Sequence, residues 1–211
     1  MRSKQEILEI MKIFQQRDPN PRCELNFHNA YTLLVAVILS AQSTDKGVNK
    51  ATEELFKIAD TPQKILDLGL EKLKTYIKTI GLYNNKAKNI MAMSEDLIKK
   101  HHGEVPSQRK DLENLAGVGR KTANVVLNVW FNQPTIAVDT HVFRISHRLN
   151  FSHGKTPLDV EKDLNEILPD EFKKNANHWL VLFGRYICKA QNPDCLNCPL
   201  ASYCTSKEKR L

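Results

Sequence analysis

Apolar residues recur at three- and four-residue intervals along most of this chain, and no stretch keeps the two-residue alternation of a half-buried strand. Ile7, Ile10, Met11 and Phe14 form one stripe. Ala87, Ile90, Met91, Leu97 and Ile98 form a second, and Ala123, Val126, Leu127 and Trp130 a third. Ala176, Trp179, Leu180, Phe183 and Ile187 form a fourth. Each spacing places its residues on one face of a helix, and a face of that kind is stable only against another element. Thr61-Pro62 and Thr156-Pro157 read as helix starts, a capping hydroxyl followed by proline at the first helical position. Breaks fall at Asp18-Pro19-Asn20-Pro21, at His102-Gly103-Glu104-Val105-Pro106 and at Asn132-Gln133-Pro134. The expectation is an all-α fold.

The 211 residues suffice for one large domain or two small ones, and 41% hydrophobic with 26% charged residues excludes extensive disorder. The longest apolar run, residues 33–39, is far shorter than the roughly 20 residues that span a bilayer. The start, Met1-Arg2-Ser3-Lys4-Gln5-Glu6, has no apolar leader, so a cytoplasmic location with reduced thiols is expected. The formal charge of +7 favours a polyanionic partner.

Leu115-Ala116-Gly117-Val118-Gly119-Arg120-Lys121-Thr122-Ala123 reads as a glycine hairpin between a short helix over residues 111–116 and a longer one over 120–131. A helix start exposes unpaired N–H groups and the positive end of the macrodipole, which suits a phosphate. Arg120 and Lys121 sit there against that dipole, at a cost of about 0.3–1 kcal/mol each, which a bound polyanion would offset. A tight turn between packed helices is the simpler explanation of a lone Gly-x-Gly, and the adjacent basic pair tips the balance towards a main-chain phosphate site. Lys121 is either a solvated phosphate contact or a nucleophile. The second role needs a neutral amine, which partial burial and the helix end would both favour and a nearby carboxylate would oppose. Eighteen residues further on, Val138-Asp139-Thr140-His141 opens a new stripe of Val142, Ile145 and Leu149. On spacing Asp139 is an N-cap, and one carboxylate oxygen can cap while the other does chemistry.

Of five cysteines, four crowd the last 24 residues as Cys188-x6-Cys195-x2-Cys198-x5-Cys204. An odd total argues against a disulfide framework, and four thiols in a reducing compartment point to a metal. Softness and spacing leave zinc and an iron–sulfur cluster even. Arg185, Lys189, Lys207, Lys209 and Arg210 flank the cluster and could face phosphates, although a solvated charged surface is the default. Cys23 stands alone and carries no assigned role.

Taken in order, the hairpin, Lys121, the Val-Asp-Thr-His aspartate and the four-cysteine tail resemble the endonuclease III family of base-excision glycosylases over nearly the whole chain. The resemblance implies two helical domains, a barrel-like one over residues 22–132 carrying the helix–hairpin–helix and an iron–sulfur domain over 1–21 with 133–211, with a DNA-binding cleft between them. It implies a [4Fe–4S] cluster on Cys188, Cys195, Cys198 and Cys204, and catalytic roles for Lys121 and Asp139. Gly117, Val118, Gly119 and Arg120 would hold the DNA backbone. Leu39-Ser40-Ala41-Gln42-Ser43-Thr44-Asp45 and Ile80-Gly81-Leu82-Tyr83 resemble the family's duplex-entering loops. Gln42 would fill the gap left by an extruded nucleotide and Leu82 would wedge the opposite strand. Otherwise they are a polar residue at a helix end and a core leucine. Ala116 stands where the family often has proline.

The implied activity is a bifunctional glycosylase and abasic-site lyase acting on oxidised pyrimidines in double-stranded DNA, as a monomer associated with the nucleoid. Relatives that remove mismatched adenine lack the lysine and mostly extend further at the C-terminus, so Lys121 and the end at Leu211 weigh against that alternative. A non-catalytic, metal-stabilised DNA-binding module is the alternative from another class.

Overall fold

The computed structural model describes residues 1–209; Arg210, named above as a flanking cation, lies outside the described residues. Eleven α-helices appear there, with no strand: α1 (Lys4–Arg17), α2 (Ala30–Ser40), α3 (Asp45–Ile58), α4 (Pro62–Leu68), α5 (Leu70–Ile77), α6 (Tyr83–His101), α7 (Arg109–Glu113), α8 (Arg120–Val129), α9 (Thr140–Arg148), α10 (Pro157–Ile167) and α11 (Asp170–Tyr186). A 3-10 turn, Ala201–Tyr203, follows. Among the described residues no helix is long and apolar enough to cross a membrane. The chain divides into two compact units, Glu24–Asn132 and Met1–Cys23 with the chain from Gln133 onward.

Glu24–Asn132 is built around α2, whose residues from Tyr31 to Leu39 are all buried. A helix apolar on every side must be surrounded; here α3, α6 and α8 surround it, and α4 and α5 pack on α6. Asn29 caps α2 through a reciprocal bond with Thr32, and Thr44 and Thr61 cap α3 and α4. The Tyr31 hydroxyl and Ser94 Oγ, 2.6 Å apart, satisfy each other in the core between α2 and α6.

The second unit collects α1, α9, α10 and α11. Phe14 of α1 meets Phe183 edge-on at 5.3 Å and stacks on Trp179 at 6.3 Å. The Trp179 indole donates to Asp18 O at 2.8 Å and so closes the end of α1. The cysteine-bearing tail, short of apolar residues, is anchored by buried Leu200 and by the Tyr203 hydroxyl, which donates to Glu9 Oε2 at 3.0 Å.

Three sequence expectations shift. The helix before the hairpin is α7, ending at Glu113, because the amides of Leu115 and Val118 close tight turns onto Leu112 O and Leu115 O. Helix α8 ends at Val129, leaving Trp130 as a C-cap that is 39% exposed, its ring edge-on to Phe27 at 6.3 Å. On α6 the buried residue is Met93 and not Met91, because the inward face runs through Lys86, Ile90, Met93 and Leu97.

Candidate active site and iron–sulfur centre

The hairpin places Gly117 at φ +77°, where a Cβ would come within 2.9 Å of Asn89 Cβ on α6, so both backbone and packing demand glycine. Gly119 is different. It has an ordinary φ of −96°, and a Cβ there would meet nothing within 4 Å. It is the N-cap of α8 with no side-chain cap, and the first helical bond runs from Ala123 N to Gly119 O. The space beside the Gly119 Cα is therefore open. Val118 is buried and its amide donates to Leu115 O at 3.1 Å, so that amide is already used within the hairpin.

Lys121 is exposed in the first turn of α8. Of the two factors that would favour a neutral amine there, the helix end is present and burial is not. Asp139 caps α9, its Oδ1 accepting from Val142 N at 2.8 Å. Oδ2 has no hydrogen-bond partner among the described residues. The segment leading to Asp139 is fixed from α11, where Asn177 Oδ1 accepts from Ala137 N at 2.8 Å.

Gln42 and Leu82 share an unusual backbone state, left-handed at φ 57° and 59°. Gln42 is exposed just beyond α2. Leu82, 61% exposed as the N-cap of α6, is not a core leucine. The two loops touch: a Cβ on Gly81 would lie 3.8 Å from Gln42 O. A left-handed non-glycine residue is costly and marks a conformation imposed by its surroundings.

The four tail cysteines are free thiols, each half-buried. Burial pushes the Cys198 thiol up, and charge on Cys188, Cys204 and Cys195 would push it further the same way. No group of three or more His, Cys, Asp or Glu among the described residues is arranged to hold a single ion. A cluster makes a different demand, because it spreads four thiolates over several irons. Two arginines of α9 brace the site. Arg148 donates to Cys188 Sγ at 3.3 Å and to Lys189 O at 2.7 Å, and pairs with Glu208. Arg144 donates to Gly184 O at 2.7 Å and, through Nε, to Cys188 O at 3.2 Å. Neither was legible in the sequence, since both lie about 40 residues before the groups they hold.

The fold and these groups define a helix–hairpin–helix protein with a thiolate-rich tail. Residues 35–170 match the HhH-GPD superfamily of base excision DNA repair proteins, and residues 188–204 match the iron-sulfur binding domain of endonuclease III. Endonuclease III of Haemophilus influenzae is 57% identical over 202 residues, 96% of each chain. That of Escherichia coli K12 is 53% identical over 202 residues, again 96% of each. The solved structure of a trapped endonuclease III–DNA covalent intermediate superposes with a TM-score of 0.92 at 48% identity, covering 97% of both chains. A thermostable thymine-DNA glycosylase, at 23% identity and a TM-score of 0.83, shares the fold. The chain belongs to the endonuclease III family, and is thereby a base-excision DNA glycosylase with abasic-site lyase activity. Its C-terminal region is an iron–sulfur domain for a [4Fe–4S] cluster, which decides the question that cysteine spacing left open.

Proposed function

We propose that this enzyme removes oxidised pyrimidines from double-stranded DNA and cleaves the abasic site, with Lys121 as nucleophile. The observation that carries this reading is an exposed lysine in the first turn of α8, directly after a hairpin whose Gly119 has open space beside its Cα. A phosphate held at that end offsets the unfavourable cations there. The amide of Gly119 and the side chain of Arg120 supply the anchor, with Gly117 setting the turn and Val118 packing beneath it.

The target base is extruded first, at a few kcal/mol, least at damage. The neutral Lys121 amine attacks the sugar anomeric carbon, and the C–N bond to the damaged base breaks, its electron pair leaving with the base. The amine loses its proton as the ring opens to a Schiff base. The iminium acidifies the adjacent C2′ proton, whose loss expels the 3′ phosphate by β-elimination. Asp139 is assigned to the positive charge on that sugar or to the Lys121 protons; its uncommitted Oδ2 supports this. Gln42 fills the vacated stack and Leu82 wedges the opposite strand, both supported by exposure in left-handed backbone. Cys188, Cys195, Cys198 and Cys204 hold the cluster, which ties together a tail with little core of its own. The enzyme acts as a monomer, where the genome lies.

Incision of a duplex holding a single oxidised pyrimidine tests this, with borohydride added in parallel to an abasic-site duplex. The expected results are a β-elimination product and a covalent protein–DNA adduct, both lost in Lys121→Ala. Base release without incision would mean a monofunctional glycosylase, and neither product a binding module; each result would end the lysine mechanism.

A further inference from the structure

One buried charge has no part in this mechanism. Lys86 lies on the inward face of α6, 6% exposed, and no carboxylate pairs with it among the described residues. Its ammonium donates instead to two main-chain carbonyls, Leu39 O at 2.9 Å and Ala41 O at 2.5 Å. Burying an ammonium is expensive, and burial pushes this one's pKa down. A methionine would fill the same space without that penalty, so the charge has a use at this position. Those carbonyls bracket the end of α2, either side of Ser40, whose own carbonyl accepts from Ser43 N at 3.0 Å; the helix has no basic residue in its final turn. Unsatisfied carbonyls at a helix C-terminus carry partial negative charge. Gln42 follows at once in its left-handed conformation. The amide of Lys86 meanwhile donates to Leu82 O at 3.0 Å.

We propose that Lys86 is a positioning residue that clamps the end of α2 to the start of α6, holding Gln42 and Leu82 as one unit for entry into the duplex. Its side chain fixes the carbonyl immediately before Gln42 and its backbone fixes the carbonyl of Leu82. This rests on the assignment of Gln42 and Leu82 to the duplex.

The test is a double-mutant cycle of Lys86→Met and Gln42→Ala, read by affinity for a duplex carrying a tetrahydrofuran abasic analogue. A 2-aminopurine opposite the analogue reports unstacking by its fluorescence. Each single variant is expected to lose about tenfold in affinity and most of the fluorescence rise. The double variant is expected within about twofold of either single variant, because both remove the same interaction. Lys86→Arg, which keeps a cation, is expected to restore the fluorescence rise. If Lys86→Met fails to fold by circular dichroism, Lys86→Gln takes its place in the cycle. Lys86 variants that bind like the parent while Gln42→Ala is impaired would overturn the clamp alone, as would strict additivity. A Gln42→Ala protein with full affinity and signal would remove the assignment beneath it, and the clamp with it.

Discussion

Asp139 caps α9, and the proposed mechanism gives it a second job that substitution can separate from the first. Its Oδ1 caps α9 through the 2.8 Å bond from Val142 N. Asparagine keeps a carbonyl oxygen in that place, and it ranks with aspartate as an N-cap. Asp139→Asn therefore loses only the charge at a helix N-terminus, about 0.5 kcal/mol. In a chain of 211 residues that lowers Tm by about 1–2 °C. Asp139→Ala loses the cap itself, about 1 kcal/mol, and falls by about 2–4 °C. Activity should not follow this order. Both variants lack a group able to carry charge or protons at the sugar, so single-turnover base release should fall by about 10²–10⁴-fold in each. Melting curves and quenched single-turnover assays at saturating protein read the two quantities independently. Base release within about tenfold of the parent in Asp139→Asn would refute the chemical role. Equal melting of the Asn and Ala variants would refute the cap as a source of stability.

The hairpin glycines should divide in the same way. Gly117→Ala forces a Cβ into left-handed backbone against Asn89 and should cost at least about 1–2 kcal/mol in thermal unfolding. Gly119→Ala meets no neighbour and should cost less than Gly117→Ala, about 0.5–1 kcal/mol for the poorer N-cap, while its affinity for duplex in a filter-binding titration falls. Cys198→Ser should purify with less iron and sulfide and a lower Tm; full iron content would contradict its place among the ligands. The Asp60 carboxyl is held below the usual carboxylate range by the hydrogen bond from Lys64, and further by His28. Its contribution to stability is thus present above its unfolded pKa of about 3.9 and is lost as pH falls through the lower folded value. Acid unfolding curves of Asp60→Asn should lack that component.

Local features were legible and distant ones were not. The stripes on α1, α9 and α11 follow from helical period alone, and the Thr-Pro starts of α4 and α10 from capping chemistry. The hairpin and the Asp139 cap are likewise short-range. The stripe on α6 misled by a fraction of a turn: the buried row takes in Lys86 and Met93, where apolar spacing alone pointed to Met91. Lys86 satisfies carbonyls 45 and 47 residues before it, and Arg148 holds a cysteine 40 residues after it. Such pairings depend on how helices pack, to which no spacing in the chain is a guide. The loops of Gln42 and Leu82 show no periodicity either; only their family resemblance marked them, and their left-handed backbone became visible with the fold.

The account stands on the identity of a single amine. Reduction with borohydride on an abasic-site duplex, followed by nuclease and protease digestion and mass spectrometry, locates the modified residue. A sugar remnant on Lys121 is the predicted result. A remnant on the amino terminus or on any other lysine would contradict it.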